Sequence, residues 1–349
     1  MTGTSTPAPA PTGDEPDVLV SRHGRLGHIQ LNRPRAMNAL TLPMVEAIAS
    51  ALATWAEDDS VEAALISGAG DRGLCAGGDV VTVRREALED GPEVASRFWA
   101  AEYAMNLAIA EYPKPIVALM DGIVLGGGVG VSSHAGIRIV TDRSRVGMPE
   151  TGIGLFPDVG GTYLLSRAPG ETGTHLALTG TMIGGSDAIA VGLADHLVPH
   201  ADLDALVAAL AGDDWAGAVA TYAVATAEAP LIAARAWIDD AYAADTVEEV
   251  LQRLRGRPEP EALAAADVIA TRSPTSLKVT FRALREAREL PGLREALAAE
   301  FRIASRLTSG HDFVEGVRAQ LVDKDRTPHW DPPTLAGVTP EMVDAYFVG

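Results

Sequence analysis

The sequence predicts an α/β fold that gives way to a helical C-terminal region. Strand-length apolar runs alternate with helical patterns through about residue 200. Beyond residue 201 strand signals nearly vanish, and Ala-rich helical stretches take over. With 349 residues, 47% of them hydrophobic and 21% charged, the composition is globular, and the chain is long enough to bury a core without disulfide or metal staples.

Residues 1–16, MTGTSTPAPAPTGDEP, are rich in Pro, Thr, Ala and Gly and carry no basic residue, so a flexible tail rather than a secretory signal is expected there. Two short strands follow, Val18 to Ser21 and His28 to Asn32, joined through Gly24 and Gly27. LNRPRAMNAL makes a turn in which Pro34 breaks regular structure. Thr41 caps a helix with Leu42, Val45, Ala49, Leu52 and Trp55 on one face. A buried strand, residues 63–67, ends at a glycine cluster, and a second helix runs from about Val94 to Ala110, before Pro113 and Pro115. Strand 116–120, a glycine-rich turn, a helix start and strand 137–141 come next. Helices are expected over 202–212, 228–243, 246–255, 259–271, 276–289 and 293–308. The expected organisation is a tail over 1–16, a catalytic core over 17–200 and a helical region over 201–349.

Several function classes drop out. A formal net charge of -19 opposes nucleic acid, whose phosphates need a basic surface. No run of 18 or more apolar residues is present, so no membrane span is expected. Cys75 is the single cysteine, which removes any intrachain disulfide and makes a reducing cytoplasm the natural location. No G-x-S-x-G elbow exists for a serine nucleophile. His196 and His200 have H-x-x-x-H spacing, but Pro199 spoils a shared helix face, so no metal site is expected. Residues 68–73, GAGDRG, satisfy a dinucleotide fingerprint, yet LCAGGD behind them does not read as the required helix. Cys75 reads as a small apolar filler.

Chemistry concentrates in three segments. SGAGDRGLCAGGD at 67–79 and DGIVLGGGVG at 121–130 are glycine-rich turns, each directly after an apolar strand. Glycine lets backbone N–H groups approach a ligand, and two converging on one oxygen would make an oxyanion hole. For either turn taken alone, glycine for turn geometry and close helix packing is the better explanation. RVGMPETGIGLFPDVGGT at 145–162 places Glu150 and Asp158 in one Gly/Pro-rich segment, where burying acids unpaired is costly.

Taken in order, AGGD, GGGVG, MPE and FPDVGGT resemble the crotonase (enoyl-CoA hydratase/isomerase) superfamily. The resemblance implies repeated ββα units forming two nearly perpendicular sheets, an acyl-CoA substrate with no separate cofactor, and a homo-oligomer. It maps an oxyanion hole onto the N–H groups of Ala76 and Gly127 and a substrate-binding surface onto Gly77, Gly78, Asp79 and Gly126. Hydratases carry a glutamate on the helix after GGG. That position is Gly130 here, while their second glutamate matches Glu150. Water addition to an enoyl-CoA loses one of its two carboxylates, and a hydrolase or an isomerase stays open.

The hydrolase branch gains from MPETGIGLFPDVGG, which is close to the 3-hydroxyisobutyryl-CoA hydrolase signature and includes Asp158. AEYAMN at 101–106 resembles that family's EEYMLN and places Glu102 as a third acid. SPTSLKVT at 273–280, GHDFVEGVRAQLVDKD at 310–325 and TPHW at 327–330 resemble its C-terminal region. What this implies is hydrolysis of a short 3-hydroxyacyl-CoA, as in valine degradation. Glu150 would be nucleophile or base, Asp158 a proton shuttle or hydroxyl partner, and Glu102 a hydroxyl anchor. Arg33 and Lys324 are the candidates for CoA phosphates, and Phe98, Trp99 and Phe156 for the acyl pocket.

Overall fold

The computed structural model describes residues 15–212 and 214–348. All but the last two residues of the expected tail lie outside the described residues. The core opens with β1 (Val18–His23), β2 (Leu26–Leu31), α1 (Leu42–Ala56), β3 (Ala63–Gly68), α2 (Val80–Glu89) and α3 (Pro92–Ala110). It continues through β4 (Ile116–Met120), β5 (Ile123–Leu125), α4 (Gly127–Ser132), β6 (Ile137–Val140) and β7 (Arg145–Gly147). Three short helices, α5 (Gly161–Ser166), α6 (Thr172–Thr179) and α7 (Gly185–Ala190), precede β8 (His196–Leu197).

Six strands form one sheet in the order β1-β2-β3-β4-β6-β8. β1 and β2 make an antiparallel hairpin, and every later pairing in the sheet is parallel. β5 and β7 form a separate parallel pair. β3 and β4 are apolar along their length because both faces of a parallel sheet are covered. Thr41 caps α1 by accepting from the Met44 N–H. The buried stripe of α1 is Met44, Val45, Ile48, Ala51, Leu52 and Trp55, so its inner face is rotated slightly from the expected one.

α2 is one of the elements that sequence patterning does not mark. Only Val83 of α2 is buried, and the helix start is set by Asp79, which accepts from the Thr82 N–H at 3.2 Å. β5, β7 and α5–α7 are likewise unmarked: the two strands are three residues long, and the helices are six to eight residues rich in Gly, Thr and Ser.

After β8 the described residues hold helices only: α8 (Leu203–Leu210), α9 (Trp215–Tyr222), α10 (Pro230–Ala233), α11 (Arg235–Tyr242), α12 (Val247–Arg255), α13 (Pro260–Ile269), α14 (Pro274–Ala287), α15 (Leu293–Thr308), α16 (His311–Val317) and α17 (Pro340–Phe347). α10–α17 share one apolar core with the α/β part, while α8 and α9 pack in a second cluster against Leu65, Val117 and Ile139 of the large sheet. α15 lies along α3, where Trp99 Nε1 donates to Thr308 Oγ1 at 2.9 Å and Tyr103 meets Phe301 edge-on. Glu300 of α15, fully buried, accepts from the Gly160 N–H at 2.6 Å, the Thr162 N–H at 3.0 Å and the Thr162 hydroxyl.

Removing that acceptor strands two buried N–H groups. Glu300→Ala is expected to lower the free energy of unfolding by about 3 kcal/mol in urea titrations. A loss under about 1 kcal/mol would show that water takes over the carboxyl's hydrogen bonds.

Candidate active site

The two glycine-rich turns lie side by side because the chain after β3 pairs with β5. Cys75 N–H donates to Ile123 O at 3.1 Å, and Leu125 N–H donates to Cys75 O at 2.9 Å. Beside them opens a cavity of about 450 Å³, within the range of small-molecule sites. Ala76, Gly77, Gly78, Gly126 and Gly127 line it, together with Glu102, Glu150 and Asp158.

Which amides are free is decided by the turn. Ala76 N–H, expected in the oxyanion hole, donates instead to Met37 O at 3.0 Å. It is consumed within the fold and cannot serve a ligand. Gly77 N–H faces Cys75 Sγ at 3.4 Å. Among the described residues Gly78 N–H has no partner, and Gly127 N–H opens α4, where an intrahelical acceptor does not exist. A Cβ built on Gly127 would lie 3.1 Å from the Gly78 nitrogen, so the two amides are neighbours. Gly78 and Gly127 are thus neighbouring unpartnered amides at the cavity wall and the candidates for holding an oxyanion. AGGD marks the turn, but only the strand pairing tells its amides apart.

The glycines also make room for acids. Gly126 has φ +50°, and a Cβ there would lie 2.5 Å from Glu150 Oε1. A Cβ on Gly127 would collide with Glu102 Oε1. Any side chain at either position displaces a carboxyl.

Glu102 comes from α3, Glu150 opens the 3-10 turn Glu150–Ile153 after β7, and Asp158 sits in the loop before α5. Their exposures are 0%, 6% and 3%, so all three acids are withdrawn from water. Both Glu102 oxygens and Glu150 Oε2 have no hydrogen-bonding partner among the described residues. Tyr103 donates to Asp158 Oδ2 at 2.6 Å. Burial, then the charges of Asp158 and Glu150, push the Glu102 pKa well above the usual carboxyl range. Burial, then Asp158, does the same to Glu150. Burial raises Asp158 to about 7 against the pull of the Tyr103 hydrogen bond.

Gly130, where a hydratase glutamate stands in the resemblance, is closed to a side chain. A Cβ there would lie 2.7 Å from Val159 Cβ and 2.9 Å from Asn106 Nδ2. No glutamate fits without displacing both.

Other expected site residues fall elsewhere. Asp79 is not in the cavity wall; it caps α2 and pairs with Arg33 at 3.2 Å. Arg33 is spent on Asp79 and on Ala39 O at 2.7 Å. Lys324 is exposed and outside the wall, where Arg272 and Arg326 stand instead. Trp99 lines the cavity, Phe98 packs beneath Gly78, and Phe156 is fully buried away from the wall. His200 faces Asp121 at 3.1 Å and Arg143 at 3.0 Å. Burial pushes the Cys75 thiol up to about 12, which leaves it inert.

Residues 26–347 match the sequence profile of the enoyl-CoA hydratase/isomerase family. The chain belongs to that family. Among enoyl-CoA hydratase/isomerase proteins, the mitochondrial 3-hydroxyisobutyryl-CoA hydrolase of Danio rerio is 42% identical over 342 residues, covering 95% of this chain and 89% of that protein. The Homo sapiens protein of the same name is 39% identical over 342 residues, with 95% and 88% covered. A solved structure described as a carnitinyl-CoA dehydratase from Mycobacterium thermoresistibile superposes with a TM-score of 0.93 at 51% identity, covering 96% of this chain and 97% of that one. An enoyl-CoA hydratase structure from Rhodobacter sphaeroides 2.4.1 gives 0.91 at 42%, covering 95% and 97%. The fold is the crotonase fold, with its helical C-terminal region.

The raised carboxyls have a thermodynamic consequence. A carboxyl whose native pKa exceeds its unfolded value keeps its proton in the native state. The native state then binds more protons than the unfolded chain from about pH 4 upward, and stability falls as pH rises through that window. For Asp158 the window closes at about pH 7. Asp158→Asn, which can still accept from Tyr103, is expected to stabilise the protein at pH 8 more than at pH 4.5 in urea unfolding. An equal effect at both values would mean Asp158 ionises as readily in the native state as in the unfolded chain.

Proposed function

We propose that the chain hydrolyses the thioester of a short 3-hydroxyacyl-CoA of the 3-hydroxyisobutyryl type, releasing the free acid and CoA. The observation that carries this is the grouping of three buried carboxyls around two free amides, beside a Gly130 that has no space for a hydratase glutamate. The relatives named as 3-hydroxyisobutyryl-CoA hydrolases over nearly the full chain support the substrate class.

Hydrolysis proceeds through a tetrahedral oxyanion, and stabilising that charge is the main catalytic demand. The thioester oxygen is held by the Gly78 and Gly127 N–H groups. Glu150 either attacks the carbonyl carbon, giving a mixed anhydride that water then opens, or takes a proton from the attacking water. On either route the C–S bond breaks, the thiolate leaves with a proton, and one water is consumed. Asp158 moves that proton. Glu102, protonated by its surroundings, has one donor and free acceptor capacity for a substrate hydroxyl. No cofactor beyond the CoA of the substrate enters this scheme.

A second reading is water addition or elimination on an enoyl-CoA, favoured by the descriptions of the two superposed structures. It requires acid/base carboxylates placed for that chemistry, and the closed Gly130 weighs against the arrangement in the resemblance.

On location, Cys75 supports a reducing compartment. The relatives carry the word mitochondrial in their names, which lends no support to the expected cytoplasmic placement. No described helix is long and apolar enough to cross a membrane.

Free thiol release from 3-hydroxyisobutyryl-CoA tests the reading. Wild type is expected to release CoA, with the rate falling by roughly 10²–10⁴ in Glu150→Ala and in Asp158→Ala. Crotonyl-CoA consumed without thiol release would replace the hydrolase by a hydratase.

A further inference from the structure

Asp158 stands on a loop whose backbone is held in an unfavourable shape. Val159, next to it, has φ +50°, a region costly for a β-branched residue. Such a conformation persists only when its surroundings impose it, and three elements do so here. From α3, Tyr103 donates to Asp158 Oδ2 at 2.6 Å. His134, after α4, places Nε2 2.7 Å from Val159 O, and burial lowers its pKa to about 4, so the neutral ring donates. From α15, Glu300 accepts from Gly160 N–H at 2.6 Å.

We propose that Tyr103 is a positioning residue for the reaction, fixing the Asp158 carboxyl through Oδ2 and favouring its charged form while the group faces the cavity. This rests on the reading of Asp158 as a participant in thioester hydrolysis. The groups around Asp158 make the phenol matter. Glu102 from α3, Glu150 from the 3-10 turn and Glu300 from α15 are acids whose own pKa values the Asp158 charge raises, and none of them offers it a positive partner. Arg272 and Arg326 stand at the cavity wall without a hydrogen bond to it, and His134 is neutral. Tyr103 is the one side-chain donor to Asp158 among the described residues. Burial and the surrounding acids keep the phenol protonated well above its ordinary range, so it donates at every working pH. Its ring is independently seated, edge-on to Phe301 and beside Trp99, so loss of the hydroxyl leaves the packing in place.

The test is the ionisation of Asp158 itself, read without substrate by infrared difference spectra against Asp158→Asn. Tyr103→Phe is expected to raise that titration by about one to two pH units. The limb of the thiol-release pH profile assigned to Asp158 should move up equally, with kcat falling more than KM changes. A 3-fluorotyrosine at position 103, a stronger donor of the same shape, should shift the titration down, a direction that damaged packing would not produce. An Asp158 titration unmoved by either change overturns the proposal. If wild type releases no thiol from any 3-hydroxyacyl-CoA, the hydrolase reading falls, while the substrate-free titration still judges Tyr103.

Discussion

Carboxyl groups taken out of water govern this structure. Glu102, Glu150, Asp158 and Glu300 are all nearly inaccessible, and Asp158 adds its charge to the field of each of the others. In a low-dielectric interior such a group is tolerated when it is protonated, hydrogen-bonded or paired. Three different solutions operate here. Glu300 collects two backbone N–H groups and a hydroxyl, Asp158 takes a phenol, and Glu102 is left with no partner and holds its proton. The unpartnered state of Glu102 is the most telling, since a fully buried carboxyl without a bond has a stability cost that packing does not recover. A substrate hydroxyl entering the cavity would supply the missing bond.

The C-terminal helices belong to this arrangement rather than being appended to it. α15 brings Glu300 to the loop after Asp158 and Phe301 to the Tyr103 ring. Gly316 of α16 packs against Ile153, so the 3-10 turn that begins with Glu150 is backed by the same region. Arg84 of α2 donates to Val314 O at 2.8 Å, tying α16 to the other side of the site. The α/β part supplies the amides and acids, and the helices determine where the acids rest.

Much of this was legible in the chain. Apolar runs at 63–67 and 116–120 mark central parallel strands, and the order of AGGD, GGGVG, MPE and FPDVGGT marks the acids and the turns. Legibility ended where a residue's role depends on its partner in space. Ala76 and Gly78 are two residues apart in one turn, and pairing with Met37 removes the first. Arg33 and Asp79 lie in motifs that suggest ligand contacts, yet each satisfies the other. Lys324 and Arg326 are both exposed, yet only Arg326 reaches the cavity wall. Glu300 does lie on the apolar stripe of its helix, between Ala296, Leu297, Ile303 and Ala304, but the backbone N–H groups it caps are 140 and 138 residues away and leave no local mark.

The same constraint bears on which chemistry the site allows. A carboxylate at 130 would add a further acid to a cluster already short of positive charge, and Val159 and Asn106 occupy its space. Val159 is held at its strained φ by the contacts that place Asp158, so opening room at 130 would loosen the loop that carries Asp158. A side chain at 130 would therefore press on the residue next to Asp158. In this chain the loop that carries Asp158 also fills the space of a glutamate after GGG. The choice between water addition and thioester cleavage is written into the packing around Gly130 as much as into the identity of the acids.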